Sequence, residues 1–520
     1  MTPTARDIEL LKQHNKKIRM RIKLLDSETY TEIDSITGYV VSSSFSKNYD
    51  SDIRNTCPLT LAVPSKDQIY IDFDKLWNKS MVEVICGIYD KKNNNYKEYN
   101  LGRLLMESGS TTYNATTQEI NLNLVDLMAS MTEERGSQVG SGTYIPTSEQ
   151  GTNIRNILIA IVTTFSDFKQ YSIPEFEDTL PYDLNFESGI YPIEMLKKVL
   201  GLFPYYEMFY NENGVFTVQK IPTKINDPVD ISADILDELL ISESKTNDFS
   251  EIKNTTEIWG RDLTCDYAAV SCEAEGDVYE VTISDTFTAL VDGETYAVYP
   301  LVDSVAGQKM DIQELGEYGI YNVSGSGTYT AIEAGEMQAN TPYSIRYTDE
   351  KYVLVGELQV RCIVQEVTEM PSSAAQTYYK TQNNCNNVQW VVNPDSQYAC
   401  TLSPTTGRIQ GEIKQVLDGD EYSGIYTTQL ALERARLENW KKCRLQDTVT
   451  IEAILIPWLD VNQKIQYHSL ATGDLGTWIT QSVDFDFENW TMTVGASRFY
   501  PYYPWENEEI EEDEEVAADI

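Results

Sequence analysis

Apolar and polar residues alternate strictly in Arg19-Met20-Arg21-Ile22-Lys23-Leu24, which reads as a half-buried strand. Residues 5–18 before it read as a short polar helix. Strand-like runs follow at Gly38–Ser44, Leu59–Val63, Ile69–Phe73 and Met81–Tyr89, separated by turn clusters such as Lys91-Lys92-Asn93-Asn94-Asn95. Short strands at this spacing predict an all-β barrel or sandwich over residues 1–135. The stretch Gly136–Gly142 reads as a flexible connection. After it the period changes. Ile154, Ile157, Leu158, Ile161, Val162 and Phe165 form one apolar stripe at helical spacing, with Thr152 as the expected N-cap. A second helix is expected from Pro192, carrying Ile193, Leu196, Val199 and Leu200, and ending before Gly201. A hairpin follows, Tyr205–Tyr210 and Val215–Ile221 around Asn211-Glu212-Asn213-Gly214.

Residues 136–254 thus read as a small α+β domain. The next stretch, 255–404, reads as strands and turns with no long helix, an inserted β-rich module. From 405 to 505 the chain returns to mixed structure. Its helix over Tyr426–Lys442 puts Leu430, Leu437 and Trp440 on one side and leaves Arg434, Glu438 and Lys441 to water. Strands are expected at Asp447–Ile456, Gln463–Tyr467, Thr477–Phe487 and Thr491–Ala496. The fold class expected from this pattern is a β-rich, multi-domain α+β protein, with antiparallel β-barrels, a small α+β domain and an inserted β module.

Charge sharpens the division. The chain of 520 residues has 81 acidic and 40 basic side chains, a net charge of -41. Residues 255–404 hold 22 acids against six bases, and 506–520 hold nine acids and no base. Like charge at that density resists packing, so 506–520 is expected to be solvated or disordered. An acidic surface repels nucleic acid, since binding phosphate requires clustered Lys and Arg. It suits a wall past which DNA slides without sticking, or simply keeps the protein soluble. The basic run of residues 6–23 carries seven Lys/Arg against two acids, a solvated helix face or a contact for an acidic neighbour. Tyrosine outnumbers phenylalanine 34 to 14, which fits sheets that keep polar tips at their surface. Charges run through Met1–Asp26 without an apolar core, so a secretory leader is not expected. Eight scattered cysteines contain no Cys-x-x-Cys pair and read as reduced, buried thiols.

Reactive chemistry is sparse. His14 and His468 are the only histidines, and no Gly-x-Ser-x-Gly, His-Glu-x-x-His or P-loop pattern occurs. Glycine-rich spots such as Ser324–Gly327 read as turns. Asp484-Phe485-Asp486-Phe487-Glu488 offers paired carboxylates for glycoside hydrolysis, but strand alternation accounts for it better, with acids out and phenylalanines in. At Ile71-Asp72-Phe73-Asp74 calcium binding competes weakly with a solvent-facing strand. The chain is therefore not expected to be an enzyme, and no catalytic residue, metal or cofactor is assigned.

Particular segments resemble a family. Ser51-Asp52-Ile53-Arg54-Asn55-Thr56-Cys57-Pro58-Leu59-Thr60-Leu61 resembles the strand of hub proteins in Gram-positive-type phage tails, with Asn55 where a second Arg is usual. Leu180–Asp183, Tyr191–Leu196, Phe203–Phe209 and Gly214–Pro222 are similar to the same family. So are Ala435–Trp440, Leu445–Thr450 and Ile456-Pro457-Trp458-Leu459-Asp460-Val461-Asn462. The resemblance spans about residues 20–250 and 405–500. Within the insert, Lys309–Ile312, Ala334–Met337 and Tyr343–Tyr347 resemble a small β module of phage tail and fibre proteins.

The resemblance implies a structural hub in the virion tail, at the baseplate or tail tip, made in the host cytoplasm and assembled as a homotrimeric ring. Its implied partners are the distal tail tube protein, a tip spike or fibre and the tape-measure protein, with DNA crossing the lumen. Asp52, Arg54, Trp458, Asp460 and Asn462 carry the family signature and are the expected interface residues. Folding of the barrel is the competing reason for their presence. A carbohydrate-binding adhesin of the tail tip is the alternative function, and a cell-wall hydrolase a more distant one.

Overall fold

The computed structural model describes residues 3–13, 16–35, 40–64, 80–113, 117–140, 152–176, 179–180, 186, 188–202, 205–284, 286–323, 328–402, 409–419, 422, 424–425 and 427–502. The expected Ile69–Phe73 strand with Asp72 and Asp74, His14, Ser324–Gly327 and the acidic 506–520 segment lie outside them.

The protein is β-rich and multi-domain. One twelve-stranded sheet is built from both ends of the chain. Across it run Leu240–Asp248, Gln446–Ile454, Thr491–Arg498, Leu475–Asp486, Val40–Asn48, Asn55–Pro64, Thr117–Asp126, Asn95–Tyr113, Ser80–Asp90, Ile18–Asp26 and Glu32–Ser35. Lys464–His468 pairs separately with Leu475–Asp486. The early and late strands join where Val40–Asn48 pairs antiparallel with Leu475–Asp486, placing Phe45 opposite Phe485.

Both faces of this sheet are covered. One packs against helix α1 (Ala5–Leu11), which is started by a Thr4–Asp7 capping box, and against the 455–461 segment. The other packs against Leu127–Met131 and helices α2 (Ile154–Phe165) and α3 (Pro192–Leu200). Double coverage explains why Ser80–Asp90 is buried along nearly its whole length rather than at alternate residues. It also accounts for both faces of the first strand. Met20, Ile22 and Leu24 face the first core, and Leu25, on the opposite face, enters the second.

Several local expectations are adjusted by packing. Helix α1 stops at Leu11. Asn153, not Thr152, caps α2, its side chain accepting from the Arg155 amide. Gly136–Gly140 is tied down. The Gly136 amide donates to Thr132 O at 2.7 Å, a β-carbon there would meet that oxygen at 2.6 Å, and buried Val139 pairs with Ile190.

Apart from Thr401–Leu402, the described strands of 255–404 sort into two sheets. The nine-stranded sheet spans Tyr267 to Glu357 around Tyr279, Tyr296, Met310, Ile320, Ile345 and Tyr352. The four-stranded sheet sets Val388–Val392, Gln359–Val367, Thr255–Asp262 and Lys414–Leu417 side by side. Contrary to expectation this stretch holds an 11-residue helix, α4 (Ser373–Asn383), capped by Ser372 and closed by Asn384 in the left-handed region. It buries only Ala375 and Tyr379, too sparse an apolar stripe to read as periodicity. Helix α5 (Thr428–Lys442) packs on the four-stranded sheet through Ala431 and Ala435, with Leu430 and Trp440 half-buried. Arg434 is turned inward, paired to Glu438 at 3.0 Å, rather than left to water.

Phe485 and Phe487 are buried and Asp484 and Glu488 exposed, as strand alternation required. Asp486 accepts hydrogen bonds from the amides of Glu488 and Asn489 and so closes the turn. The eight cysteines are free thiols, seven of them buried.

Candidate functional site

The signature segments meet. Arg54 opens the Asn55–Pro64 strand and is buried, with one terminal nitrogen 3.0 Å from Glu207 Oε2. The other lies 3.1 Å from both Asp460 Oδ1 and Val461 O. Its guanidinium stacks 3.9 Å over the Phe209 ring. Lys47 Nζ adds a second cation, 3.3 Å from Asp460 Oδ2. Glu207 also accepts from Asn462 Nδ2 and Gln219 Nε2, each at 2.6 Å. Asn462 sits at φ 56°, a left-handed conformation that asparagine tolerates better than most residues. Two cations thus face two carboxylates, and each carboxylate has several donors, the condition under which buried charge is tolerated.

Burial pushes the Asp460 carboxyl up, but Arg54 and Lys47 outweigh it and hold its pKa at about 2. Burial alone would lower the Arg54 guanidinium; Asp460 and Glu207 raise it instead. Beside them Asp126 is fully enclosed. Burial lifts its pKa to about 6, although the Asn55 and Met128 amides donate to it at 2.9 Å. Asn55 is itself buried.

A pH dependence follows for Asp460. Its folded pKa lies below the ordinary 3.8. Its contribution is therefore present above that value and lost as pH falls toward about 2. In urea unfolding the stability gap between the native chain and Asp460→Asn is expected to narrow by about 2 kcal/mol between pH 5 and pH 2. A gap that does not change with pH would contradict the pairing.

Of the other signature residues, Trp458 is a core side chain, its ring 5.3 Å from that of Tyr99. Tyr99 in turn donates to Asp7 at 2.7 Å. Asp52 is exposed and pairs with Lys197 of α3 at 2.6 Å. The structure therefore brings Arg54, Asp460 and Asn462 into one network, with Trp458 in the core nearby. Arg54 and Trp458 face inward and make their contacts within the chain. Asp52 alone lies on an open surface. His468 is exposed, with Nδ1 2.6 Å from Asp237 Oδ2. Among the described residues, no group of three or more His, Cys, Asp or Glu side chains is placed to hold a metal ion. No described helix is long and apolar enough to cross a membrane.

The network opens onto a cleft of about 500 Å³. Tyr49, Tyr206, Glu207, Asn462 and Gln481 line it. So do Trp440, Lys441 and Lys442 from the end of α5, Arg444 just beyond it, and Arg498, Phe499 and Tyr500. Arg444 lies 4.8 Å over Tyr500 and 5.6 Å over Trp440. Four cations thus meet the cleft's two carboxylates, Glu207 and Asp447, and those two are already paired, to Arg54 and to Lys245. Sequence reasoning missed this cleft. Lys441 read as a solvent-facing position of its helix, and Arg498 is far away along the chain.

Comparison with known proteins places these features in context. Residues 402–503, which contain α5 and the closing strands, match a domain of unknown function, DUF5048. No curated protein matches the sequence. Among solved structures the chain resembles a tail protein from Neisseria meningitidis MC58, with TM-score 0.48 and 6% identity, covering 94% of this chain and 98% of that one. It resembles the 43 kDa tail protein of prophage MuSo2 from Shewanella oneidensis, with TM-score 0.47 and 9% identity over 94% and 99% of the two chains. A prophage tail protein from Listeria monocytogenes EGD-e gives TM-score 0.40 and 8% identity over 94% and 98%.

Proposed function

We propose that this chain is a structural component of a phage-type tail: the hub of a baseplate or tail tip, located in the virion tail and without enzymatic activity. The observation that carries the reading is the junction at Arg54. Two of the segments similar to tail hub proteins, Ser51–Leu61 and Ile456–Asn462, lie 406 positions apart at their Arg54–Asp460 contact, yet they close one network beside the sheet that both ends of the chain build. The signature therefore describes a single structural unit made from both ends of the chain.

In this reading three copies form a homotrimeric ring. The ring joins the distal tube protein to a tip spike or fibre, and the tape-measure protein and then DNA pass through its lumen. The net charge of -41 keeps that passage from holding DNA. Asp52, exposed beside the junction, is the signature residue placed to touch a neighbouring subunit. The Tyr267–Glu357 sheet, with its own core, is an accessory module of the hub.

Light scattering at several concentrations tests the assembly. The expected mass is three times the 59.1 kDa of one chain. A single-chain mass throughout, with or without the tube protein, would count against the hub.

A further inference from the structure

The outer face of the Tyr267–Glu357 sheet carries an aromatic corner with a cation beside it. We propose that this face, at Tyr321, Tyr329 and Arg346, binds an anionic glycan, a pyranose chain bearing carboxylate or phosphate groups. The inference is independent of the ring.

Register brings the residues together. Directly opposed residues in a sheet share a face. Arg346 is opposite Val353 and Val353 is opposite Tyr321, so the three form one row across three strands. Tyr329 is opposite Val323, two residues beyond Tyr321 and therefore on its face. The residues that alternate with this row, Ile345, Tyr352 and Ile320, fill the module's core, which turns the row outward. Residues 267–357 hold 16 acids and only three bases. All three bases fall on this face: Arg346 in the row, Lys309 opposite Gly319, and Lys351 two residues before Val353.

The rings are placed to take a sugar. Tyr321 lies over Gly319, where a β-carbon would meet its ring at 2.8 Å and its hydroxyl at 2.9 Å. Glycine thus lets the ring settle against the sheet as a floor. Tyr329, 40% exposed, stands at 86° to it with centroids 6.2 Å apart, and forms a wall. The C–H-rich face of a pyranose packs on such a floor, because the electron-rich face of the ring attracts those hydrogens. Among the described residues, neither tyrosine hydroxyl has a hydrogen-bond partner, and the exposed Arg346 side chain has neither a hydrogen bond nor an ion pair. Arg346 stands two strands from Tyr321, a spacing of about 10 Å. A sugar on Tyr321 therefore carries its charged substituent over buried Val353 toward a guanidinium whose donors are free. Lys351 and Lys309 add field rather than contacts. Each is held loosely, Lys351 3.8 Å from Asp349, and Lys309 3.6 Å from Asp277 and 3.8 Å from Glu317. The surrounding acids oppose a nucleic acid, whose every residue brings a phosphate.

A printed array of carboxylated, phosphorylated and neutral oligosaccharides, probed with the labelled full chain, tests this. Retention is expected on charged oligosaccharides and to be about tenfold weaker on their neutral counterparts. Tyr321→Ala and Arg346→Ala should each weaken binding of the best-retained oligosaccharide about tenfold, and Tyr321→Phe, which keeps the ring, about twofold at most. Arg346 is exposed and unpaired, so its variant should unfold at the native temperature and remain a fair test if Tyr321→Ala does not fold. Retention of no oligosaccharide, equal retention of neutral ones, or binding undiminished by Arg346→Ala overturns the proposal. Equal affinity for oligo-dT also overturns it, because the rings would then be a stacking platform for bases. None of these outcomes bears on the mass of the assembly, so failure here is distinct from failure of the hub.

Discussion

Replacing Arg54 with methionine is expected to destabilise the protein by about 3–5 kcal/mol, the cost typical of removing one member of a buried charge network. Methionine keeps the volume but leaves the Asp460 and Glu207 carboxylates without the cation that touches both. Lys47 still meets Asp460, and Asn462 and Gln219 still donate to Glu207, so the network is weakened rather than abolished. The guanidinium's stacking on Phe209 is lost as well. Lysine at position 54 recovers only part of the loss, since an ammonium cannot span two carboxylates and a carbonyl in one plane. The double change Arg54→Met with Asp460→Asn should cost less than the sum of its parts, because the second removes a charge the first has stranded. Urea unfolding followed by tryptophan fluorescence reads all three. A loss below about 1 kcal/mol for Arg54→Met would show that the network does not hold the two signature segments together.

Phe485→Ala should be comparably severe, at about 3–5 kcal/mol. Phe485 is fully buried on the strand that joins the two ends of the chain, opposite Phe45, with ring centroids 6.3 Å apart. Phe45 lies over Gly102, where even a β-carbon would come within 3.0 Å of its ring, so the space left by Phe485 is not easily refilled. The distinguishing expectation is spatial. Exchange and proteolysis should rise first along Val40–Asn48 and Leu475–Asp486, while the Tyr267–Glu357 sheet stays protected. Phe485→Leu, which conserves most of the volume, is expected to cost less than about 1.5 kcal/mol. Uniform loosening of the whole chain by Phe485→Ala would mean the seam is not where the halves are joined.

The elements whose signal is local were legible in the sequence. The stripe of Ile154–Phe165, Pro192 at the start of its helix, the Asn211–Gly214 hairpin and the alternation around Phe485 each bury the side chains their spacing indicated. Where two packing surfaces compete, local pattern was not enough. Leu24 keeps to the first core as its alternation indicated, but the burial of Leu25 on the opposite face depends on a second core that no local pattern announces. The Ser373–Asn383 helix was hidden because two buried side chains suffice to seat it. No local signal announces that Val40–Asn48 pairs with Leu475–Asp486.

The candidate site divides in the same way. Family motifs marked Arg54, Asp460 and Asn462 as residues that matter, but a motif does not say whether a side chain faces inward or outward. Burial answers that for Arg54 and Trp458. Glu207, the second carboxylate of the network, lies in the Phe203–Phe209 family segment but was not singled out, because its role depends on a hairpin delivering it to Arg54 from another part of the chain. The cleft cations escaped for the same reason.

The most direct test of the hub is cryo-electron imaging of the purified chain, alone and with its tube protein. The account predicts a threefold ring in which each copy contributes the twelve-stranded sheet and acidic side chains outnumber Lys and Arg along the lumen. A chain that stays single under both conditions, or a ring of another symmetry, would contradict it.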